Sequence, residues 1–138
     1  MKISDVMTKN PRTASPNDSL QAVAVIMRDE DTGVVPIVEN GRLVGVVTDR
    51  DIVIRCVAEG NLKAKATDAA SDDVVTVTPD MSIADAAELM GEHQIRRLPV
   101  VEGDKLVGIV SLGDIAVKEG KDKRTGDTLE DISQGVKH

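Results

Sequence analysis

The chain has 138 residues and a formal net charge of −7, and 41% of its residues are hydrophobic although Phe, Tyr and Trp are absent. This apolar content is enough to bury a core and excludes a fully disordered chain, while the negative charge argues against binding to phosphate backbones. No apolar run approaches the roughly 18 residues that span a bilayer, and the first residues lack the apolar stretch of a signal peptide, so we expect a cytoplasmic protein without membrane insertion.

Two copies of one sequence unit make up most of the chain. Residues 2–55 align without a gap on residues 65–118, at a constant offset of 63 positions. Identical residues face each other along the whole alignment, among them Asp5 and Asp68, Pro16 and Pro79, Met27 and Met90, and Asp51 and Asp114. Two units that each bury an apolar face are expected to pack on one another, and the cleft between them is the natural place for a ligand.

The first copy predicts a short strand, an amphipathic helix, a hairpin and a second helix. Apolar residues recur at helical spacing from Leu20 to Met27, and two short apolar runs are joined through Asn40-Gly41, which suits a type I′ hairpin turn. The predicted elements are a strand around Thr13, a helix at 20–27, strands at 34–38 and 43–47, and a helix from Asp49 to Glu59 that ends at Gly60.

The second copy repeats this order. Its short strand lies at 74–77, and Ser82 with Asp85 has the spacing of a capping box at the start of the next helix. Its hairpin turns at Gly103-Asp104, and its last helix starts near Leu112.

The order of elements predicts an α+β protein made of two tandem βαββα repeats packed as a pseudo-twofold pair. The first repeat covers 1–60 and the second covers 61–120, with a polar linker at 60–66. The tail at 121–138 is polar and carries the capping pattern of a short helix.

Both copies carry a hydrophobic-Pro strand and a Gly-x-x-Thr/Ser-x-x-Asp turn, within VVPIVENGRLVGVVTDRDI and RLPVVEGDKLVGIVSLGDI. These segments closely resemble the cystathionine-β-synthase-type (CBS) domain, of which a tandem pair is called a Bateman module. The resemblance covers about residues 2–118. Small stand-alone proteins of this design are common in the family. It implies a regulatory module that binds AMP, ADP, ATP, NAD or S-adenosylmethionine between the repeats, forms a homodimer and modulates a partner protein.

The turn from strand to helix is the candidate site in each copy. Backbone N–H groups at a helix start attract anions, and a carboxylate can accept both hydroxyl protons of a ribose. The resemblance assigns the hydroxyls of Thr48 and Ser111 to a phosphate or ribose, and the carboxylates of Asp51 and Asp114 to ribose hydroxyls. The alternative is that each pair is only a capping box, and the two roles can coexist.

The prolines in the first strand of each hairpin also allow two interpretations. Pro36 and Pro99 lack a backbone donor, which restricts their strands to edges or irregular pairing. The resemblance implies that freed backbone groups at Val35 and Leu98 meet the edge of an adenine, whereas a plain edge strand is the alternative.

Glycines inside the second strand of each hairpin mark the same part of the site. Gly45 and Gly108 occupy equivalent positions in the two copies. Glycine within a strand indicates a bulge or a close backbone approach, and either is compatible with a nearby ligand.

Three arginines are the candidate phosphate contacts. Arg96 and Arg97 precede the strand of the second copy, where relatives carry basic residues, and their equivalents are Gly33 and Val34. Arg50 lies beside the first turn. The two sites are therefore not equivalent, and the net negative charge favours a ligand of low charge, with AMP first among the candidates.

No nucleophile and base have a spacing that indicates catalysis, so we predict a protein that is not an enzyme and requires no cofactor. The two histidines have no metal-ligand spacing, which predicts no metal site. A ligand-free interaction module is the alternative function. A redox-modulated version of it requires the single cysteine, Cys56, to be exposed, although the apolar stretch around it favours the core.

Overall fold

The computed structural model describes the backbone of residues 1–119 and the side chains of residues 1–117. Helices and strands alternate in both copies, which confirms the predicted α+β fold. In chain order the elements are a 3₁₀ turn (Ile3–Asp5), β1 (Thr8–Lys9), α1 (Leu20–Glu30), β2 (Val34–Glu39), β3 (Arg42–Thr48), α2 (Asp49–Asp51) with a π-helical continuation (Ile52–Val57), α3 (Ala66–Ala69), α4 (Ile83–His93), β4 (Arg97–Glu102), β5 (Lys105–Ser111) and α5 (Leu112–Glu119). The helix pattern predicted in the tail lies outside the described residues.

The described chain forms two compact units. The first-copy unit contains Arg12–Val74 and Asp104–Leu106, and the second-copy unit contains Met1–Pro11, Val75–Gly103 and, of the remaining described residues, 107–119. Each unit therefore combines the helix and hairpin of one copy with the segment that precedes the other copy in the sequence.

The long helix of each copy has matching signals at both ends. The hydroxyls of Ser19 and Ser82 each accept the backbone N–H three residues further on, at 3.1 Å. The second of these bonds confirms the Ser82 cap on Asp85. The helices end where Asp31 and Gln94 adopt left-handed φ angles of 50° and 54°. Such a residue stops the helix because it turns the chain out of the helical path.

The hairpins form at the predicted dipeptides. β2 pairs antiparallel with β3, and Asn40 and Gly41 between them have φ angles of 54° and 80°, as a type I′ turn requires. In the second copy β4 pairs with β5, and Gly103 has a φ of 64°.

Each unit has its own apolar core under its hairpin. Both cores consist of small branched or sulfur-containing side chains, as the absence of aromatic residues requires. The first-copy core contains Ala14, Leu20, Val23, Ile26, Val35, Ile37, Val47, Cys56, Ala64, Ala66 and Ala69. The second-copy core contains Ile3, Val77, Ile83, Ala86, Ala87, Met90, Leu98, Val100, Val110, Leu112 and Ile115.

The predicted first strands are reduced to single bridges. Ala14 pairs in parallel with Ile37, and Val77 pairs in parallel with Val100. The N–H of Ala14 donates to the carbonyl of Pro36 at 3.0 Å, and Val77 donates likewise to Pro99 at 3.1 Å. Val38 and Val101 return the bond to the carbonyls of Ala14 and Val77, each at 2.9 Å. Because the prolines have no N–H with which to extend the ladder, each pairing stays short, as expected for an edge strand.

The segments before the two copies are buried in equivalent ways. Ile3 and its repeat equivalent Ala66 are both fully buried, and Ala64 is 4% exposed. The backbone N–H of Lys65 donates to the Asp68 carboxylate at 2.9 Å, which holds α3 in place. The prediction of a purely polar linker at 60–66 is therefore wrong, because two of its alanines fill the first-copy core.

The second helix of the first copy is shorter than predicted. It runs as α2 and then as a π-helical segment to Val57, rather than to Glu59. The N–H of Ala58 donates to the carbonyl of Val53 at 2.8 Å, five residues back, which is the π-helical pattern. Gly60 follows with a φ of 73°.

Candidate functional site

The first candidate turn, between β3 and α2, is a reciprocal capping box. The Thr48 hydroxyl accepts the N–H of Asp51 at 3.0 Å, and the Asp51 carboxylate accepts the N–H of Thr48 at 3.2 Å. Both residues are half-buried. The capping interpretation is confirmed, and the role of these residues in ligand binding stays a prediction.

The turn between β5 and α5 repeats this geometry. The Ser111 hydroxyl accepts the N–H of Asp114 at 3.0 Å, and the Asp114 carboxylate accepts the N–H of Ser111 at 3.3 Å. A hydroxyl that accepts one hydrogen bond still has its proton to donate, and a carboxylate has acceptor positions beyond one N–H. Each turn can therefore offer a donor and an acceptor to a polar ligand without losing its cap.

Asp51 has a second partner that the sequence analysis missed. Its Oδ1 lies 3.8 Å from Nε of Arg55, one helical turn away, and its side chain is 20% exposed. The same arginine donates through Nη1 to the carbonyls of Ala69 and Ala70, at 3.4 and 3.1 Å. Arg55 therefore connects the first turn to the end of α3.

At the start of β2, the backbone N–H and C=O of Val34 face away from β3. The N–H of Asp49 donates to the carbonyl of Gly33 at 2.9 Å, and Val34 is opposite Thr48 in the ladder. Because antiparallel partners alternate between bonded and non-bonded pairs, the N–H and C=O of Val34 point away from β3 and those of Val35 point toward it.

The prolines and their predecessors lie deep in the two hairpins. Val35 and Leu98 are fully buried, and Pro36 and Pro99 are also buried. In the second copy the N–H of Leu112 donates to the carbonyl of Arg96 at 2.8 Å, as at the equivalent position of the first copy. The outward backbone groups in these segments therefore lie one residue before the predicted Val35 and Leu98.

The two strand glycines mark a close backbone approach. A Cβ on Gly45 would lie 2.9 Å from the carbonyl oxygen of Ser71, and one on Gly108 would lie 2.9 Å from that of Thr8. The ladder also shifts register beside Gly45, which is a bulge. Both glycines are buried by the chain itself, and this packing accounts for their presence.

The charged residues differ between the copies. Arg96 directly precedes β4 and is exposed, Arg97 is the first residue of β4 and is half-buried, and Arg50 is exposed. The backbone N–H of Arg50 donates to Oδ1 of Asp49 at 2.8 Å, and the Asp49 carboxylate lies against Gly33.

Thr32 and Asp49 are site residues that the sequence analysis did not single out. Thr32 donates its hydroxyl proton to the carbonyl of Val34 at 3.1 Å and accepts the N–H of the same residue at 3.3 Å. The repeat alignment held the signal for both, because Thr32 faces Ile95 and Asp49 faces Leu112.

Cys56 is 1% exposed and packs in the first-copy core. Burial raises the pKa of its thiol, and the nearby Asp68 carboxylate raises it further. Redox modulation through intermolecular pairing required an exposed thiol, so that alternative is contradicted and the core interpretation is confirmed.

Among the side chains of residues 1–117, no three from His, Cys, Asp or Glu come together as they would around a metal ion. Every helix in this part of the chain is too short or too polar to traverse a bilayer.

Comparison with known proteins relates this geometry to a family. The chain is 42% identical over 132 residues to the CBS domain-containing protein YhcV of Bacillus subtilis. This match covers 95% of this chain and 94% of YhcV. A crystal structure of Hypoxic Response Protein I with two coordinated zinc ions has a TM-score of 0.77 and 38% identity, and the match covers 85% of this chain and 98% of that one.

A second solved structure contains ligands. The CBS domain pair of protein MJ0100, in complex with 5′-methylthioadenosine and S-adenosylmethionine, has a TM-score of 0.77 and 30% identity over 87% of this chain and 96% of that one. The family model of the CBS domain matches twice, at residues 3–57 and 66–118, which are the two copies found by internal alignment. The chain therefore belongs to the CBS domain family and carries two such domains in tandem.

Proposed function

We propose that this protein is a non-catalytic regulatory module that binds an adenosine-containing ligand. The observation that carries the proposal is the repeated turn, in which a hydroxyl and a carboxylate stand three residues apart and retain hydrogen-bonding capacity beyond their cap. A carboxylate and a hydroxyl are suited to the vicinal diol of a ribose. The location of the ligand between the two repeats, their pseudo-twofold packing and the cytoplasmic location stay predictions.

The comparison supports adenosine as the common part of the ligand. Both molecules bound by the MJ0100 pair contain adenosine, and that pair is 30% identical to this chain. The groups available to contact the ligand are the polar side chains of the two turns, the outward backbone groups of Arg97 before Leu98 and Pro99, and the arginines near them.

AMP is the first candidate within this ligand class, followed by S-adenosylmethionine and NAD. The chain carries a net charge of −7, so only a few local arginines can attract a phosphate. The repulsion by the rest of the protein grows with the charge of the ligand, which disfavours ADP and ATP.

The module is proposed to act as a homodimer on a partner protein. Val53, Ile54 and Val57 on the π-helical segment are 57%, 47% and 49% exposed. Val117, the repeat equivalent of Ile54, is 86% exposed on α5. Large apolar side chains that recur on the same exposed helix in both copies suit an interface.

A ligand-free interaction module is the second candidate. The capping boxes favour it, because helix capping alone explains the four polar residues of the turns. Under this alternative the turns contribute only to stability, at about 1 kcal/mol for each cap.

The test is a thermal shift of nucleotide-stripped protein with AMP, ADP, ATP, NAD and S-adenosylmethionine, with GMP and GTP as controls. Because the chain has no aromatic residue, nucleotide absorbance reveals any ligand carried through purification. A ligand at about 100 times its Kd adds about 2.7 kcal/mol, which raises Tm by several degrees. The proposed adenosine-binding function fails if folded, nucleotide-stripped protein shows no change in Tm with any adenosine ligand.

A matched pair of variants separates the two candidates. Ser111→Ala and Ser82→Ala each remove a hydroxyl that accepts one backbone N–H, at 3.0 and 3.1 Å. Both variants are expected to lose about 1 kcal/mol of stability, but only Ser111→Ala is expected to lose the ligand-induced shift. A full ligand-induced shift in Ser111→Ala would contradict the role of this turn in ligand binding, whereas no shift in the wild type would favour the ligand-free module.

A further inference from the structure

The outward backbone pair of the first copy already has a partner. The Thr32 hydroxyl both accepts the N–H of Val34 and donates to its C=O. The equivalent residue in the second copy is Ile95, whose side chain forms no hydrogen bonds. No side chain at that position can therefore occupy the N–H and C=O of Arg97. Adenine presents a donor beside an acceptor on its edge, which matches the N–H and C=O of Arg97 that point away from β5.

The charge around the two turns also differs. In the first copy two carboxylates, Asp49 and Asp51, stand on the turn with Arg50, and Arg55 lies 3.8 Å from Asp51. In the second copy Leu112 replaces Asp49, and it is 4% exposed, so its side chain packs in the core. Arg96 lies beside that turn through its backbone, since the N–H of Leu112 donates to its carbonyl at 2.8 Å, and Arg97 follows it in the chain. Asp114 is the carboxylate of that turn.

Gly33, which lies beside Asp49, also has an equivalent of different charge in the second copy. The Asp49 carboxylate oxygens lie 3.1 and 3.2 Å from the place that a Cβ on Gly33 would occupy. The residue equivalent to Gly33 is Arg96. A phosphate near the first turn would therefore meet the Asp49 carboxylate, whereas the equivalent residues of the second copy are Arg96 and Leu112, an arginine and an apolar residue.

We propose that each chain binds one adenine nucleotide, at the second-copy set of Arg96, Arg97, Ser111 and Asp114, and that Thr32 and Asp49 close the first copy to nucleotide. This inference rests on the proposed adenosine-binding function. The two copies have then diverged into one nucleotide site and one turn that only caps its helix.

Equilibrium dialysis of the full chain with AMP gives the number of molecules bound per chain. We expect one. The double variant Arg96→Gly/Arg97→Val gives the second copy the residues of the first, and it is expected to weaken AMP binding at least 10-fold. Arg28→Ala, which also removes an exposed arginine, is the charge control and is expected to bind AMP as the wild type does.

The reverse exchange tests the closure of the first copy. The triple variant Thr32→Ile/Gly33→Arg/Asp49→Leu is expected to bind a second AMP, with circular dichroism confirming that it is folded. If the folded triple variant still binds only one AMP per chain, the proposed roles of Thr32 and Asp49 are overturned.

The remaining outcomes separate the inference from the function on which it rests. Two molecules of AMP per wild-type chain, or one that is lost in Thr48→Ala and kept in Arg96→Gly/Arg97→Val, would overturn the inference and leave the proposed function standing. Absence of binding by every adenosine ligand would overturn both.

Discussion

Replacing Gly45 with alanine tests how the segment before the second copy is held on β3. The added Cβ would lie 2.9 Å from the carbonyl oxygen of Ser71 and 3.5 Å from the Cβ of Ala70. The first distance is shorter than real Cβ contacts, and the atom it meets belongs to the backbone, so the segment must move away from β3.

The expected cost follows from the bonds that this movement disturbs. Val46 donates its N–H to the carbonyl of Ser71 at 3.0 Å, and Ser71 donates its N–H to the carbonyl of Val46 at 2.9 Å. A backbone hydrogen bond contributes about 0.5–1.5 kcal/mol net, and overpacking of a buried site costs about 1–3 kcal/mol. We expect Gly45→Ala to lose about 1–3 kcal/mol, which lowers Tm by roughly 4 °C per kcal/mol.

Thermal and urea unfolding followed by far-ultraviolet circular dichroism measures this loss, since the chain has no aromatic fluorophore. Gly108→Ala is expected to behave in the same way, because its Cβ would lie 2.9 Å from the carbonyl oxygen of Thr8. Gly113→Ala is the control, because its Cβ would meet only the Ser111 hydroxyl at 3.7 Å. A Gly45→Ala protein as stable as the wild type would refute the reasoning.

Three further changes test the caps and the two cores. Ser19→Ala should lose about 1 kcal/mol in urea unfolding, because the N-cap bond of α1 is lost; an unchanged midpoint would contradict the cap. Met90→Ala should lose about 2–5 kcal/mol, because Met90 is fully buried in the second-copy core; a loss below about 1 kcal/mol would contradict that packing. Cys56 should resist alkylation in the folded protein and react once urea unfolds it; rapid modification of folded protein would contradict its burial. Because burial raises the pKa of this thiol, the folded state keeps a proton that the unfolded state releases at alkaline pH. Stability should therefore fall as pH rises above the ordinary thiol pKa, and Cys56→Ala should reduce that slope.

The sequence by itself determined the repeat, the order of helices and strands, the hairpin turns and the caps at Thr48 and Ser111. These features depend on residues close together in the chain. A type I′ turn needs positive φ at two adjacent residues, and a capping box needs partners three residues apart, so spacing alone predicts them.

The candidate site was predicted in its outline and not in its contacts. The sequence placed Thr48, Asp51, Ser111 and Asp114 on the two turns, where the structure also has them. It did not indicate that Thr32 occupies the outward backbone groups of Val34. That pairing depends on the alternation of the ladder between β2 and β3, which a one-residue shift would reverse.

Only the tertiary structure decided which segments pack together. The residues before each copy join the compact unit of the other copy, so Ile3 lies in the second-copy core and Ala66 in the first-copy core. The same long-range path buries Cys56 and brings Ser71 against Gly45. Local patterns carry no information on these contacts, because they join residues far apart in the chain and depend on the path of the backbone between them.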